Sequence, residues 1–581
     1  MQTLYELQSQ CNLQNGILLI QLPQVSKKRI DVKVAKNRGY FAYPPQGLLY
    51  ISKILSGINI CSTILDLNYH RLKDAIENNT EDFSKLLFEK VKSNSSGIVF
   101  ITYMFDTTFD DLKDVCNIIK HIDSKIKIVC GGVAATANYE LLLTDKICDF
   151  VYINEAESAL VGFVDFINKN NLNIPNNIYF KNLEGLIEKT TIQFGGNVDL
   201  DITTEYYKIP IQEYCKIGSV SGFQRMVGVD IPFATILTRR GCRGKCSFCS
   251  VRNFNGKSVR VRELNSILEE MLYLYNKHSI RHFELLDDDF LYDKNSVNIL
   301  LNEIIRLFDN KLTWSANNGL IASVIDEDLL TLFEKSNCIG FKVGLESGNN
   351  EILKKIHKPI SLDKYFEFTN IIKKNSKILI STNFILGFPN ESFGQMLDSF
   401  NVAIKGGMMW NNIYTYQHFK NTELDFANQS LEINIDTTLK GMFTPVRAGN
   451  YKYETKVKSG FEIFTYRNDH KPNANELKEI WFTFNTIINF FNNPVIKTDN
   501  KILLTTMLKW TDVLLISYPE DCLMISLQFY IKRKLNLVVN IEEEQSFLLD
   551  KINNSPYWSR RNSQFKFTRL VTHLQPEFND Y

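Results

Sequence analysis

From residue 16 onward, short apolar runs alternate with stretches of helical periodicity. Residues 16–20, 62–67, 97–102, 127–130 and 149–153 read as strands. Residues 47–55, with apolar positions at Leu48, Ile51, Ile54 and Leu55, and residues 109–122 read as amphipathic helices. Strands alternating with helices predict an α/β, doubly wound parallel sheet. Ligands of such sheets sit outside the carboxyl ends of the strands. Those ends are Pro23, Thr102-Tyr103-Met104, Gly131-Gly132 and Asn154-Glu155. Residues 170–230 lose the periodicity and read as a connecting segment. A second alternation starts at Phe233, with strands at 233–238, 282–286, 312–316, 339–345, 378–386 and 412–418. Helices at 264–275, 296–308, 327–335 and 365–374 separate them. Six β/α units in a row predict a partial or full (β/α) barrel whose active face lies at the carboxyl ends of its strands. Beyond about residue 426 the pattern becomes helical and aromatic-rich, at 477–492 and 502–515. The expected division is a doubly wound domain at 1–195, a linker at 196–228, a barrel at 229–425 and an α-rich domain at 426–581.

At about 150 residues per domain, 581 residues suit three or four units. A composition of 44% hydrophobic and 23% charged residues excludes a mainly disordered, collagen-like or small disulfide-stapled chain. Lys and Arg number 66 against 65 Asp and Glu, a net charge of +1, which argues against a broad electrostatic grip on nucleic acid. The first dozen residues show no secretory pattern. The most apolar late stretch, 513–531, contains Glu520 and Asp521 and is broken by Pro519. A spanning helix wants about 20 apolar residues, so no membrane segment is expected and the location is read as cytoplasmic.

Eight of the 11 cysteines are scattered and read as small buried apolar residues. Three are clustered in Thr238-Arg-Arg-Gly-Cys242-Arg-Gly-Lys-Cys246-Ser-Phe-Cys249, directly after the first strand of the second alternation. Clustered cysteines in a chain without a signal peptide read as metal ligands. Soft thiolates suit iron–sulfur or zinc. A closed structural zinc site needs four protein ligands, and the next histidine is His278. Three thiolates can instead hold three corners of a four-iron cube and leave one iron open. A zinc site with a remote fourth ligand is the alternative. The eight histidines show no H-x-x-H spacing; His418 ends the sixth predicted strand and is a candidate to face the pocket.

Arg240-Gly-Cys242 and Cys246-Ser-Phe-Cys249 resemble the cysteine signature of the radical S-adenosylmethionine (SAM) superfamily. Asp287-Asp-Asp-Phe290, Gly344-Leu-Glu-Ser-Gly348 and Gly387-Phe-Pro389 follow in the order of that family's later motifs. The resemblance covers about residues 229–425. It implies that Cys242, Cys246 and Cys249 ligate a 4Fe-4S cluster whose open iron chelates SAM. Cleavage of SAM would then give a 5′-deoxyadenosyl radical. Asp287, Asp288 and Glu346 would face the amino group or ribose of SAM, with helix capping as their structural alternative. Phe248 would pack beside the adenine or the cluster.

Pro44-Pro-Gln-Gly-Leu-Leu-Tyr-Ile-Ser52, Asp66 and Gly131-Gly132 resemble the Rossmann-like cobalamin-binding domain that often precedes this barrel. That resemblance implies cobalamin as a further cofactor, with Gly131 and Gly132 admitting its tail and Tyr103 and Met104 under the ring. The D-x-H-x-x-G motif that offers a histidine to cobalt is absent. The last strand reads Ile153-Asn-Glu-Ala-Glu157 where the family has Gly-Glu-Gly-Glu. Together the resemblances imply a cobalamin-dependent radical SAM methyltransferase acting on an unreactive carbon. They imply a small-molecule or peptide substrate and an electron donor such as flavodoxin or ferredoxin. Radical cyclisation or rearrangement without methyl transfer is the runner-up. A non-catalytic metal- or cluster-binding protein is the reading from another class. No residue is singled out as catalytic.

Overall fold

The computed structural model describes residues 2–77, 83–374, 377–427, 457–537 and 540–572. The first sheet contains β1 (Ile17–Gln21), β2 (Ser62–Asp66), β3 (Ile98–Thr102), β4 (Lys127–Gly131), β5 (Phe150–Tyr152), β6 (Ile178–Lys181) and β7 (Ile187–Lys189), in the order β2-β1-β3-β4-β5-β6-β7. The first five pair in parallel and the last two are antiparallel. β1, β3 and β4 are apolar along most of their length because helices cover both faces, as parallel sheets require. The order reverses between β1 and β3, which places a crevice at their carboxyl ends. Part of the predicted connecting segment is the hairpin β6–β7, which extends the sheet by two strands. Its polar, Asn-rich surroundings hide it from a hydrophobic count.

The barrel begins at β8 (Phe233–Ile236) and is followed by two short strands, β9 (Arg239–Arg240) and β10 (Arg260–Val261), which pair with each other across the cysteine loop. Its wall continues through β11 (His282–Leu285), β12 (Thr313–Leu320), β13 (Cys338–Glu346), β14 (Leu379–Leu386) and β15 (Trp410–Thr415). All six wall strands are parallel, in sequence order from β8 to β15, and β8 does not pair with β15. The barrel is therefore partial.

The open edge at β15 is covered by the helical C-terminal region. There, Ala474–Thr486 runs on into a π-turn at Ile487–Phe491. Trp481 donates its indole N–H to the Ile413 carbonyl at 2.6 Å. Asn489 accepts from the Asn411 amide and donates to its carbonyl, both at 2.8 Å. A side-chain amide thus satisfies edge backbone groups that would otherwise invite another strand. Six of the eight scattered cysteines are buried as expected, but Cys61 is exposed and Cys11 partly so. Among the described residues no helix is long and apolar enough to cross a membrane.

Candidate functional site

The cysteine loop is held by the three successive aspartates that end β11. Asp287 accepts from the Thr238 amide at 2.7 Å and from the Thr238 hydroxyl. Asp288 accepts from the Gly241 amide at 3.2 Å and from the Asn255 amide group at 2.9 Å. Asp289 takes the Arg243 guanidinium in a fork at 2.7 and 3.0 Å. The acidic run therefore grips the loop at three points, before and after Cys242. The side chain of Asp287 is sealed from solvent and both of its oxygens are bonded to the loop, so it supports the cysteines, the structural role that the sequence left open beside SAM contact. Burial pushes it up to about 6, against the opposing hydrogen bonds from Thr238. Burial also raises Asp288, which borders a cavity described below.

Cys242, Cys246 and Cys249 are each partly exposed at the barrel mouth. A Cβ placed on Gly244 would stand 3.3 Å from the Cys242 sulfur and 3.8 Å from that of Cys246, so both thiols flank one glycine. Burial raises all three thiols, Cys242 to about 11 and Cys249 to about 12, so they need a cation to become thiolates. Among the described residues no three His, Cys, Asp or Glu side chains converge tightly enough to grip a single metal ion. Three thiols carried on one loop suit three corners of a cluster.

Glu346 ends β13 with its backbone in the left-handed region, φ 73°, where a non-glycine residue is strained. Its carboxylate receives the Lys358 ammonium at 3.0 Å. Lys358 is buried and lies close enough to Cys246 to oppose the rise of that thiol. Glu346 is thus paired with a cation that the sequence did not reveal. Phe248 packs against Phe388 at a ring separation of 5.7 Å, in a small apolar cluster with Ile352, Ile356 and Leu424. His418 lies beyond the end of β15, borders a cavity and hydrogen-bonds Asp425.

Two cavities lie between the carboxyl ends of the first sheet and the cysteine loop. One, of about 340 Å³, runs from Asp288 and Arg240 to a deep apolar slot made by Leu48, Ile51, Phe100, Val129, Tyr152 and Leu160. The other, of about 790 Å³, opens beside it. Both are bordered by Met104, Val133, Asn154, Ser250 and Phe254. Gly132 has φ 105°, and a Cβ there would come within 2.8 Å of the Tyr103 carbonyl. The buried Tyr152 hydroxyl borders the slot with no hydrogen-bond partner. An apolar lining with one unused hydroxyl beside it suits a ring bearing one acceptor, as the nucleotide base of a cobalamin does. Of the two residues proposed for the underside of the ring, Tyr103 is 1% exposed and packs in the core, whereas Met104 is 40% exposed.

The two domains are joined at this place. Glu155, buried after β5, accepts from Arg260 at 2.6 Å and from Arg240 at 3.0 Å, and Glu157 accepts from Arg240 at 2.6 Å. Although burial opposes its charge, Glu157 and Glu155 hold Arg240 firmly protonated. Asn154 occupies φ 62°, a left-handed position that asparagine tolerates, which explains how this chain dispenses with the family's first glycine. Gln46, of the Pro-Pro-Gln run, accepts from the Thr235 hydroxyl of β8 at 2.9 Å.

The profile of the Radical SAM superfamily matches residues 236–403, and that of the B12 binding domain matches residues 32–164. An uncharacterized methyltransferase of Pyrococcus horikoshii is 26% identical over 352 residues, covering 60% of this chain and 70% of that one. Among solved structures, the radical SAM methyltransferase TsrM of Kitasatospora setae, with cobalamin and a [4Fe-4S] cluster bound, superposes with a TM-score of 0.56 at 15% identity, covering 96% of this chain and 99% of that one. The cobalamin-dependent SAM radical enzyme OxsB, with aqua-cobalamin and SAM bound, gives a TM-score of 0.55 at 13% identity, covering 96% of this chain and 79% of that one. At these identities the structural likeness speaks for the fold. The chain thus carries a region that matches the B12 binding domain followed by one that matches the Radical SAM superfamily, joined through Glu155 and Arg240.

Proposed function

We propose that this protein is a cobalamin-dependent radical SAM methyltransferase acting on an unactivated carbon of a small-molecule or peptide substrate. The observation that carries the proposal is that the cysteine loop, through Ser250 beside Cys249, and the strand ends of the first sheet, through Met104 and Val133, border the same two cavities. The methyltransferase relative and the fold shared with TsrM support it. Cys242, Cys246 and Cys249 would hold a 4Fe-4S cluster. SAM would lie near Glu346 and Asp288, and cobalamin would lie against Met104, Gly131 and Gly132. When bound, these groups supply a 5′-deoxyadenosyl radical and a transferable methyl group.

The chain's own work is placement and exclusion of water. Asp287, Asp288 and Asp289 fix the loop that carries the thiols. Lys358 sets a positive charge beside Cys246, where thiolates or an anionic cluster need one. The Glu346 carboxylate and Lys358 ammonium together complement the amino-acid end of SAM, which bears both charges. Glu155, Arg240 and Arg260 hold the two cofactor regions in register. An electron donor such as flavodoxin or ferredoxin would reduce the cluster, and no role for nucleic acid is proposed.

The test is anaerobic incubation of reconstituted protein with reductant, SAM, cobalamin and candidate extracts, followed by mass spectrometry. S-adenosylhomocysteine rising in step with a product heavier by one methylene supports methyl transfer. 5′-Deoxyadenosine without S-adenosylhomocysteine overturns it in favour of cyclisation or rearrangement.

A further inference from the structure

We infer that the substrate of this chain carries a carboxylate or phosphate group, and that Lys342 and Asn383 hold that group inside the barrel. The inference names a substrate class for the methyltransferase reading above and rests on it.

The barrel wall is two-sided. On β13, Phe341 packs edge-on against Phe333 of the outer helix Glu327–Lys335 at a ring separation of 5.4 Å, so Lys342 and Gly344 face inward. On β14, Thr382 meets the Tyr365 hydroxyl of the outer helix Leu362–Ile372, so Ser381, Asn383 and Ile385 face inward. Asn412 of β15 donates to the Ser381 hydroxyl and to the Asn383 amide oxygen, both at 3.0 Å, which puts it on the same inner face. Toward the carboxyl ends of these strands the inward residues Lys342, Gly344, Asn383, Ile385, Asn412 and Tyr414 are partly exposed. The outward residues between them, Val343, Phe384 and Ile413, are buried. Solvent therefore reaches the inner face.

At the amino ends of the strands the barrel has a floor. The Ser221 hydroxyl lies 3.5 Å from that of Ser315, and a Cβ on Gly340 would collide with the Phe223 ring of the short helix Gly222–Val227. At the other end, a Cβ on Gly344 would stand 2.9 Å from the Lys358 ammonium, beside the carboxylate of Glu346. Lys342 precedes Gly344 by two residues on the same face, about 6.6 Å of strand below that pair. A molecule held at Lys342 therefore extends toward the place proposed for SAM.

The charges inside the barrel do not cancel. Glu284 of β11 is satisfied by the Ser315 hydroxyl at 2.6 Å and the Asn317 amide at 2.7 Å. Glu346 and Lys358 answer each other at 3.0 Å. Among the described residues, no hydrogen bond or ion pair engages the Lys342 ammonium or the side-chain N–H groups of Asn383. A partly buried cation without a counter-charge costs stability. Together with a neighbouring amide donor it complements the oxygens of an anion.

The experiment uses the full-length reconstituted protein and has two arms. Urea unfolding compares wild type with Lys342→Met, which removes a cation that has no partner. The variant is expected to unfold at the same or a higher urea concentration. A lower midpoint makes Lys342 a structural residue and overturns the inference. In the second arm, a cell extract is divided on a strong anion-exchange resin at alkaline pH, where amines are uncharged and acids are retained. Each fraction is assayed for methylated product with reductant, SAM and cobalamin. Product is expected from the retained fraction alone. Lys342→Met is expected to need about tenfold more of that fraction for half-maximal rate, and Lys342→Arg to recover most of the loss. Phosphatase treatment that abolishes the product supports a phosphate ester, and product that survives it supports a carboxylate. Product from the unretained fraction alone, or a Lys342→Met that matches wild type, overturns the inference and leaves the methyltransferase reading intact. If neither fraction yields a methylated product, that reading and this inference fall together.

Discussion

Replacing Glu155 by alanine tests how the two halves of the site are tied together. Its side chain is 3% exposed and faces two guanidinium groups, themselves only 13% and 15% exposed. Removing one partner of a buried ion pair costs about 3–5 kcal/mol, because a charge is left without compensation. Arg240 keeps Glu157 at 2.6 Å, so the full penalty falls on Arg260 alone. The expected loss is therefore at the lower end, about 3 kcal/mol. Glu157→Ala is the internal comparison. Its only arginine retains Glu155, so it forfeits one charge-assisted hydrogen bond, about 1.5 kcal/mol. Urea unfolding followed by circular dichroism reads both, with the slopes compared so that a midpoint shift is a stability change. In Glu155→Ala/Arg260→Ala the stranded cation is gone, so the double variant should be more stable than the sum of the single losses implies. If Glu155→Ala lies within about 0.5 kcal/mol of wild type, or Glu157→Ala is the more damaging, the network is not the tie described here.

Three further outcomes are expected. Burial pushes Glu391 up to about 8, against the opposing Phe388 and Gly387 amides, so the folded chain keeps a proton that the unfolded chain releases above its ordinary value of 4.5. Stability from this group is present below the unfolded value and falls as pH rises toward 8, by at most about 1.4 kcal/mol per pH unit. Glu391→Gln should flatten the stability profile between pH 5 and pH 8, and an unchanged slope contradicts the assignment. Asp289→Asn breaks the fork to Arg243, and the loop should bind its cluster about 10–100-fold more weakly with unchanged circular dichroism. Iron per chain after reconstitution at limiting iron reads this, and wild-type loading would refute it. Tyr152→Phe removes the unpartnered donor in the slot. It should weaken binding of hydroxocobalamin about tenfold while sparing cobinamide, which lacks the nucleotide base. Equal losses for both ligands would place the base elsewhere.

The alternation of apolar runs and helical periods carried most of the architecture. Each predicted wall strand of the barrel is present, and the helix Phe109–Ile122 has the predicted bounds. Local spacing likewise placed Cys242, Cys246 and Cys249 on one loop. What stayed hidden depends on contacts distant in sequence. Arg243 meets Asp289 across 46 residues and Arg260 meets Glu155 across 105, and no periodicity encodes such pairs. Lys358 is an ordinary lysine until β13 folds Glu346 against it. Tyr103 and Met104 differ in a way the sequence reading did not separate. Strand parity separates them, since Ile101 and Tyr103 share the face that is buried. For Asp287 the sequence left two roles open, because a carboxylate that contacts a cofactor and one that caps the loop look alike in sequence; the Thr238 contacts appear only in the fold.

The central claim is that three thiols on one loop hold an iron–sulfur cube with an open corner. Anaerobic reconstitution, iron and sulfide analysis, and electron paramagnetic resonance of the reduced protein with and without SAM test it together. The account predicts about four irons and four sulfides per chain, lost in Cys242→Ala, Cys246→Ala and Cys249→Ala, and a signal whose g-values move when SAM is added. Less than about one iron per chain with stoichiometric zinc, or a cluster signal indifferent to SAM, would contradict it.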